Sequence, residues 1–195
     1  EVFANLYDEP GTPARRARLP ALHAGTLNSV LKKLASYPNR IAGVGTNFFT
    51  TQMWNETTDQ KEGTIVRRVA GANVFPALAR ELILNGPHFF LSNPSYKSPR
   101  RVCTKNGDYD ALDLLNIPDD YLPRSNYAPI SNAMVYSSRI PKVSWLEEGE
   151  KEPRLATDFY RLCFRGMINS ARERTLTGAL IAPNTAHING AQSNA

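Results

Sequence analysis

Residues 158–167, DFYRLCFRGM, set Tyr160, Leu162 and Phe164 in alternation with Arg161, Cys163 and Arg165. Successive side chains of a strand point to opposite faces, so this period of two predicts a half-buried strand. Residues 173–182, ERTLTGALIA, read as its partner, closed by Pro183-Asn184. What surrounds this pair decides the fold class.

Upstream, residues 1–19 carry Pro10, Gly11 and Pro13 among mixed charges and read as an extended lead-in whose arginines reach a surface or a partner. From Pro20 the pattern turns helical: Leu22, Leu27, Val30, Leu31 and Leu34 share a face, and Pro38-Asn39 ends the run. Residues 41–51, IAGVGTNFFTT, read as a strand loosened by Gly43 and Gly45, which leave a GxGxxG spacing incomplete. Residues 64–69, TIVRRV, give a second strand. Residues 76–84, PALARELIL, give a short helix opening on its proline and ending at Asn85-Gly86, and residues 87–92 a third strand.

Residues 108–129, rich in Pro, Asp, Asn and Tyr, read as an ordered loop region with a helical turn near Asp119. Residues 133–138, AMVYSS, read as a strand, and residues 147–153, EEGEKEP, as an exposed mobile connection. Internal repeats and low-complexity tracts are absent from the sequence. The sum is an α+β chain: a strand-rich mixed sheet with a few short helices and long ordered loops, in one domain spanning 1–195.

The 195 residues are 42% hydrophobic and 21% charged, and no apolar run approaches the roughly 20 residues a membrane helix needs. A chain of this size buries enough surface for a core without disulfides. Cys103 and Cys163 fit neither a CxxC pair nor a zinc spacing, which suits thiols in a reducing cytoplasm. The chain opens on Glu1 with no secretion leader and is expected to be a piece of a longer protein. Membrane, metal and disulfide-scaffold classes are therefore disfavoured.

The net charge of +5 permits attraction to a polyanion. Its clustering is more informative. Arg15, Arg16 and Arg18, Lys32 and Lys33, Arg67 and Arg68, then Lys97, Arg100, Arg101 and Lys105 form basic groups, whereas Glu147, Glu148, Glu150 and Glu152 gather elsewhere. Lys and Arg among Tyr, Asn and Ser suit phosphate contacts; the plainer alternative is a set of solvated loops.

One loop invites a catalytic reading. Asn93-Pro94-Ser95-Tyr96 stands one residue away from the Asn-Pro-Pro-Tyr loop of amino-methylating DNA enzymes. Asn93, the Pro94 carbonyl and Tyr96 are the groups needed to accept hydrogen bonds from an exocyclic amine and to stack on an extruded base. Asn-Pro after an apolar run also starts an ordinary turn, and no glycine-rich donor site for S-adenosylmethionine precedes it. Asp59-Gln60-Lys61 has the carboxylate-x-lysine form of a metal nuclease without the preceding strand-borne Asp, and His23, His88 and His187 are scattered without a motif.

Several stretches together (GTNFFTTQMWNET, KEGTIVRR, NGPHFFLSNPSYKSPRRVC, PDDYLPRSNY and FYRLCFRGMINSARERTLTGALIAP) resemble the non-catalytic DNA-recognition region of large bacterial N6-adenine DNA methyltransferases, of the type IIG-like restriction-modification and DISARM-like phage-defence class. The likeness covers most of the chain and is most specific in the last block. It implies double-stranded DNA as partner, a catalytic domain of the same parent chain upstream, and S-adenosylmethionine bound by that parent, with no cofactor or metal in this segment. It also implies that the Asn-Pro-Ser-Tyr loop belongs to the recognition part. Some methyltransferases permute the order of their motifs, which keeps Asn93 and Tyr96 open as base-holding residues of a catalytic core.

Recognition then assigns phosphate contacts to Lys97, Arg100, Arg101 and Lys105, and edge reading or stacking to Arg124, Asn126 and Tyr127. Arg161, Arg165, Arg172 and Arg174 stand between DNA contact and sheet-tying ion pairs with Asp158 or Glu173. A third reading, from another class, is a scaffold that docks defence subunits through its basic loops.

Overall fold

The computed structural model describes residues 2–8, 11–18, 24–68, 73–90, 92–167 and 176–195. His23, Arg172, Glu173 and Arg174 lie outside the described residues. The chain divides into two compact units, residues 1–45 and 46–195.

The first unit holds α1 (Val2–Tyr7), a 3-10 turn (Ala14–Arg16) and α2 (Gly25–Ser36). The lead-in expected to be extended thus contains a helix. Its return is fastened by Arg18, whose backbone N–H reaches the Asp8 carboxylate at 3.1 Å and whose Nε reaches it at 2.7 Å. The periodicity located α2, and Tyr37, with extended backbone dihedrals, ends it one residue before Pro38.

In the second unit the elements run β1 (Thr50–Thr51), α3 (Thr58–Lys61), β2 (Ile65–Arg67), β3 (Ile83–Leu84), β4 (Lys97–Pro99), β5 (Tyr109–Ala111), β6 (Tyr127–Pro129), α4 (Ala133–Arg139), β7 (Arg161–Arg165), β8 (Gly178–Ile181), β9 (Ala186–His187) and β10 (Ala191–Asn194). The largest sheet has the order β1-β10-β7-β8, and three two-stranded pairs, β2-β6, β3-β9 and β4-β5, complete an α+β fold. Among the described residues no helix is long and apolar enough to cross a membrane.

The strand read from DFYRLCFRGM is β7, and β8 is its antiparallel partner with Leu162 opposite Leu180. Its facing is the reverse of what hydrophobicity implies. Arg161 and Cys163 point into the core at 1% and 0% exposure, while Leu162 and Leu180 stand 47% and 62% exposed. Burying Arg161 is tolerated because its guanidinium donates to the Thr185 carbonyl and lies 3.5 Å from the Met53 sulfur. Cys163 fits a thin layer against Ala179 and Ala191 that a leucine would overfill.

The segment expected to be a helix at residues 76–84 is a short 3-10 turn followed by β3. Ile83 packs into one apolar cluster and Leu82 and Leu84 into the other, so the strand is covered on both faces. Each such burial contributes about 1.5–3 kcal/mol, which outweighs helix preferences of at most about 0.7 kcal/mol per ordinary residue. Pairing of β3 with the distant β9 decides the outcome.

Three further expectations are corrected. Residues 41–47 form 3-10 turns, with Gly45 at φ 76° and ψ −139°, a region that only glycine enters freely, and pairing begins only at Phe49, which exchanges both backbone hydrogen bonds with Ala195 at 3.2 and 2.9 Å ahead of Thr50–Thr51. Residues 86–89 form a 3-10 turn because His88 closes it: the Asn85 N–H donates to His88 Nδ1 at 3.1 Å, and the His88 N–H donates to the Asn85 carbonyl at 3.0 Å. Residues 133–139 form helix α4, capped by Asn132, whose side chain accepts from the Val135 N–H at 3.1 Å.

The acidic connection 147–153 is held by ion pairs. Arg154 lies 3.2 Å from Glu147, 3.8 Å from Glu150 and 3.7 Å from Asp158, and Lys142 lies 2.8 Å from Glu152.

Candidate functional site

A cleft of about 450 Å³ opens where β2, β5 and β6 meet the segments 85–87, 103–106 and 188–190. Antiparallel pairing of β2 with β6 sets Arg67 opposite Tyr127. At the back, Gly86 and Gly190 approach so closely that a Cβ on Gly190 would stand 3.4 Å from the Gly86 nitrogen.

Its floor is a chain of buried amides and phenols. The Tyr109 hydroxyl accepts from Asn85 Nδ2 at 2.7 Å and from Asn126 Nδ2 at 3.0 Å. Asn126 Oδ1 accepts from Asn73 Nδ2 at 2.8 Å, and Asn126 Nδ2 also faces the Cys103 sulfur at 3.6 Å. Beside this chain, the Tyr127 hydroxyl donates to the Glu56 carboxylate at 2.8 Å. Burial, reinforced by that carboxylate, pushes the Tyr127 phenol up to about 12, and burial raises Tyr109 as well. Cys103 is raised by burial, so the thiol in the cleft is not an activated nucleophile.

At the rim stand Arg67 and Lys105, neither of which forms an ion pair among the described residues. The charge of Arg67 reaches both phenols and the Cys103 thiol. The cleft therefore has a polar floor of linked amides and phenols, in which the buried Asn73 Oδ1 alone lacks a partner among the described residues, and a cationic lip with Glu56 as the carboxylate lining it.

Of the seven residues assigned to DNA contact, Lys105, Asn126 and Tyr127 meet in this cleft. Asn126 and Tyr127 are buried and build its floor, so their side chains hold neighbouring groups instead of projecting from a loop. The other four are placed elsewhere. Lys97 Nζ sits 3.8 Å from the centre of the Phe90 ring, and Arg124 lies over Phe75 at 4.2 Å. Arg100 is paired with Asp110 at 2.8 Å, and Arg101 is exposed beside it. The basic stretch 100–108 is a structured loop closed by Asp108, whose carboxylate accepts from the Thr104 and Lys105 N–H groups at 2.9 and 3.1 Å.

The Asn93 loop is a turn. Asn93 Oδ1 accepts from the Ser95 N–H at 2.9 Å, its carbonyl accepts from the Tyr96 N–H at 3.2 Å, and Tyr96 is stacked on Phe90 with an interplanar angle of 17°. Asp59 has a similar local role, its carboxylate taking the Asn55 N–H at 2.5 Å at the start of α3. His88 and His187 are buried, their pKa values lowered to about 4 by desolvation. His88 Nδ1 accepts, so the proton is on Nε2 and is donated to the Arg124 carbonyl at 2.9 Å. Among the described residues no three His, Cys, Asp or Glu side chains form a metal-binding group.

Asn85, Tyr109, Asn73 and Glu56 belong to no motif, and only their convergence in space reveals them. Arg67 was visible as one of the basic clusters. No family model, curated protein or solved structure matches the chain.

Proposed function

We propose that the chain is the sequence-specific, double-stranded DNA recognition region of an adenine-specific DNA methyltransferase of restriction-modification or phage defence, without catalysis of its own. The observation that carries this reading is the cleft at Asn126 and Tyr127 with Arg67 and Lys105 unpaired at its lip. Two lip cations beside a polar floor suit phosphate oxygens, with neighbouring polar groups placed toward a groove. In this reading S-adenosylmethionine and the methyl-transfer chemistry belong to the catalytic domain of the parent chain. The catalytic alternative finds little support in the Asn93 loop, where the carboxamide oxygen and the Tyr96 ring both have partners within the fold.

The open apolar face formed by Leu162 and Leu180 supports a protein partner as well. We assign that face to the catalytic domain of the same parent. The free thiols of Cys103 and Cys163 suit a cytoplasmic setting.

Two experiments test these assignments. Duplex binding by the chain, followed across a salt series, weakens steeply with salt if phosphates are contacted, and affinity indifferent to salt contradicts the reading. A pull-down treated with nuclease separates the partners: proteins that persist after DNA is destroyed bind the chain directly, and loss of that binding in Leu162→Ser with Leu180→Ser assigns them to the apolar face.

A further inference from the structure

A second cleft, of about 390 Å³, opens beside the C-terminal end of β6, between α4 and the segments 155–158 and 184–186. Its floor is the exposed edge of the main apolar cluster: Tyr136, Ile140, Leu155 and Ala186 line it, with Pro129 and Ile130 at the wall. A concave apolar floor with a few convergent polar groups is the usual form of a small-molecule site.

The charges around it are unequal in their freedom. Glu81 and Asp158 line the cleft, but the Glu81 carboxylate caps the Ala77 N–H at 2.9 Å, and Asp158 takes the Leu155 N–H at 3.2 Å with Arg154 3.7 Å away. Arg68 gives one donor to the Val74 carbonyl at 2.9 Å, and among the described residues the rest of its fork has no partner. Arg80 has no hydrogen bond or ion pair among the described residues.

A third cation lies behind the wall. Arg161 donates to the carbonyl of Thr185, between Asn184 and Ala186, which line the cleft, and its charge reaches Tyr136 on the floor. It is 1% exposed, its Nε has no partner, and no carboxylate pairs with it among the described residues. A buried cation without a counter-charge sets a positive potential on whatever enters the adjoining space.

We infer that this cleft binds a small amphipathic anion, an apolar body carrying one carboxylate or phosphate, with the body on Tyr136 and Ile140 and the anionic end on Arg80 and Arg68. The inference is independent of DNA binding, because it uses none of the residues of the first cleft.

Trp54 provides a local reporter, since its Nε1 donates to the Tyr136 hydroxyl at 3.0 Å and the rings are 5.5 Å apart. The other tryptophan, Trp145, is removed by Trp145→Phe. Benzoate and phenyl phosphate are titrated against this variant, with benzyl alcohol and benzylammonium as neutral and cationic counterparts, by calorimetry and Trp54 emission. Both anions are expected to bind at least about tenfold more tightly than the alcohol, with the cation weakest, and to change Trp54 emission. Arg80→Gln, at an exposed position, is expected to weaken the anions about five- to tenfold and leave the alcohol unchanged. Ser137→Phe on α4, which fills the mouth, is expected to weaken all of them. Equal affinity for benzoate and benzyl alcohol, anion binding unaffected by Arg80→Gln, or no anion binding up to about 10 mM would overturn the assignment.

Discussion

The Asn93 carboxamide oxygen accepts a hydrogen bond from the Ser95 backbone N–H at 2.9 Å. That contact makes the tetrapeptide a turn held by its own side chain, with Tyr96 packed on Phe90 and Lys97 set over the same ring. Asn93→Ala is expected to lower stability by about 1 kcal/mol and Asn93→Asp by less, since a carboxylate keeps the acceptor. Duplex affinity of the Ala variant should remain within about twofold of the parent chain. Urea unfolding and DNA titration of the two variants check both points.

Asn126 and Tyr109 belong to one buried network, and their value to the protein is structural before it is anything else. Tyr109→Phe removes the oxygen shared by the Asn85 and Asn126 amides and is expected to cost about 1–3 kcal/mol. Asn126→Ala leaves the Asn73 amide with the Arg100 carbonyl as its remaining acceptor, removes a donor from the Tyr109 hydroxyl, and should cost a similar amount. A solvent-facing base reader would show neither loss, so denaturation midpoints of these variants separate the two roles.

Stability should fall on mild acidification. His88 and His187 are neutral in the fold with pKa values of about 4, whereas an unfolded imidazole titrates near ~6.5. Between those values the unfolded chain binds more protons, so the contribution is complete above about pH 6.5 and is lost as pH drops toward 4, up to about 3 kcal/mol per ring. Carboxylates with lowered pKa values, such as Asp108, act in a lower window, below about pH 4. Unfolding free energies at about pH 7.5 and 4.5 measure the slope, and His187→Gln should make it shallower.

The thiols should be inert in the native state. Burial pushes Cys163 up to about 12 and raises Cys103 above its ordinary value. Ellman's reagent at mildly alkaline pH is expected to leave Cys163 unmodified until denaturant is added and to label Cys103 slowly. Rapid labelling of both in native buffer would contradict the packing of β7.

Much of this architecture was legible residue by residue, and the failures share a cause. Alternation located β7 and the end of its partner, but it could not tell that the charged side would be buried. That depended on the Thr185 carbonyl and the Met53 sulfur, which come from distant parts of the chain. Helix and strand were exchanged at residues 76–84 and 133–138 for related reasons. β3 is fixed by pairing with β9 more than one hundred positions later, and α4 by the Asn132 cap, a local signal that short windows of Val, Tyr and Ser conceal. Residue types marked Lys105, Asn126 and Tyr127 as candidates. Their grouping with Arg67, Asn85 and Tyr109 is a property of the fold alone.

Arg67→Gln combined with Lys105→Gln, compared with Arg100→Gln and the unmodified chain in duplex-DNA anisotropy titrations across a salt series, bears most directly on DNA recognition at the first cleft. Loss of two phosphate contacts should make the slope of log affinity against log salt shallower by about 1.8, while Arg100→Gln, already paired with Asp110, should change it by less than about half as much. A double variant that binds duplex DNA with the same affinity and the same slope as the unmodified chain would contradict recognition through this cleft.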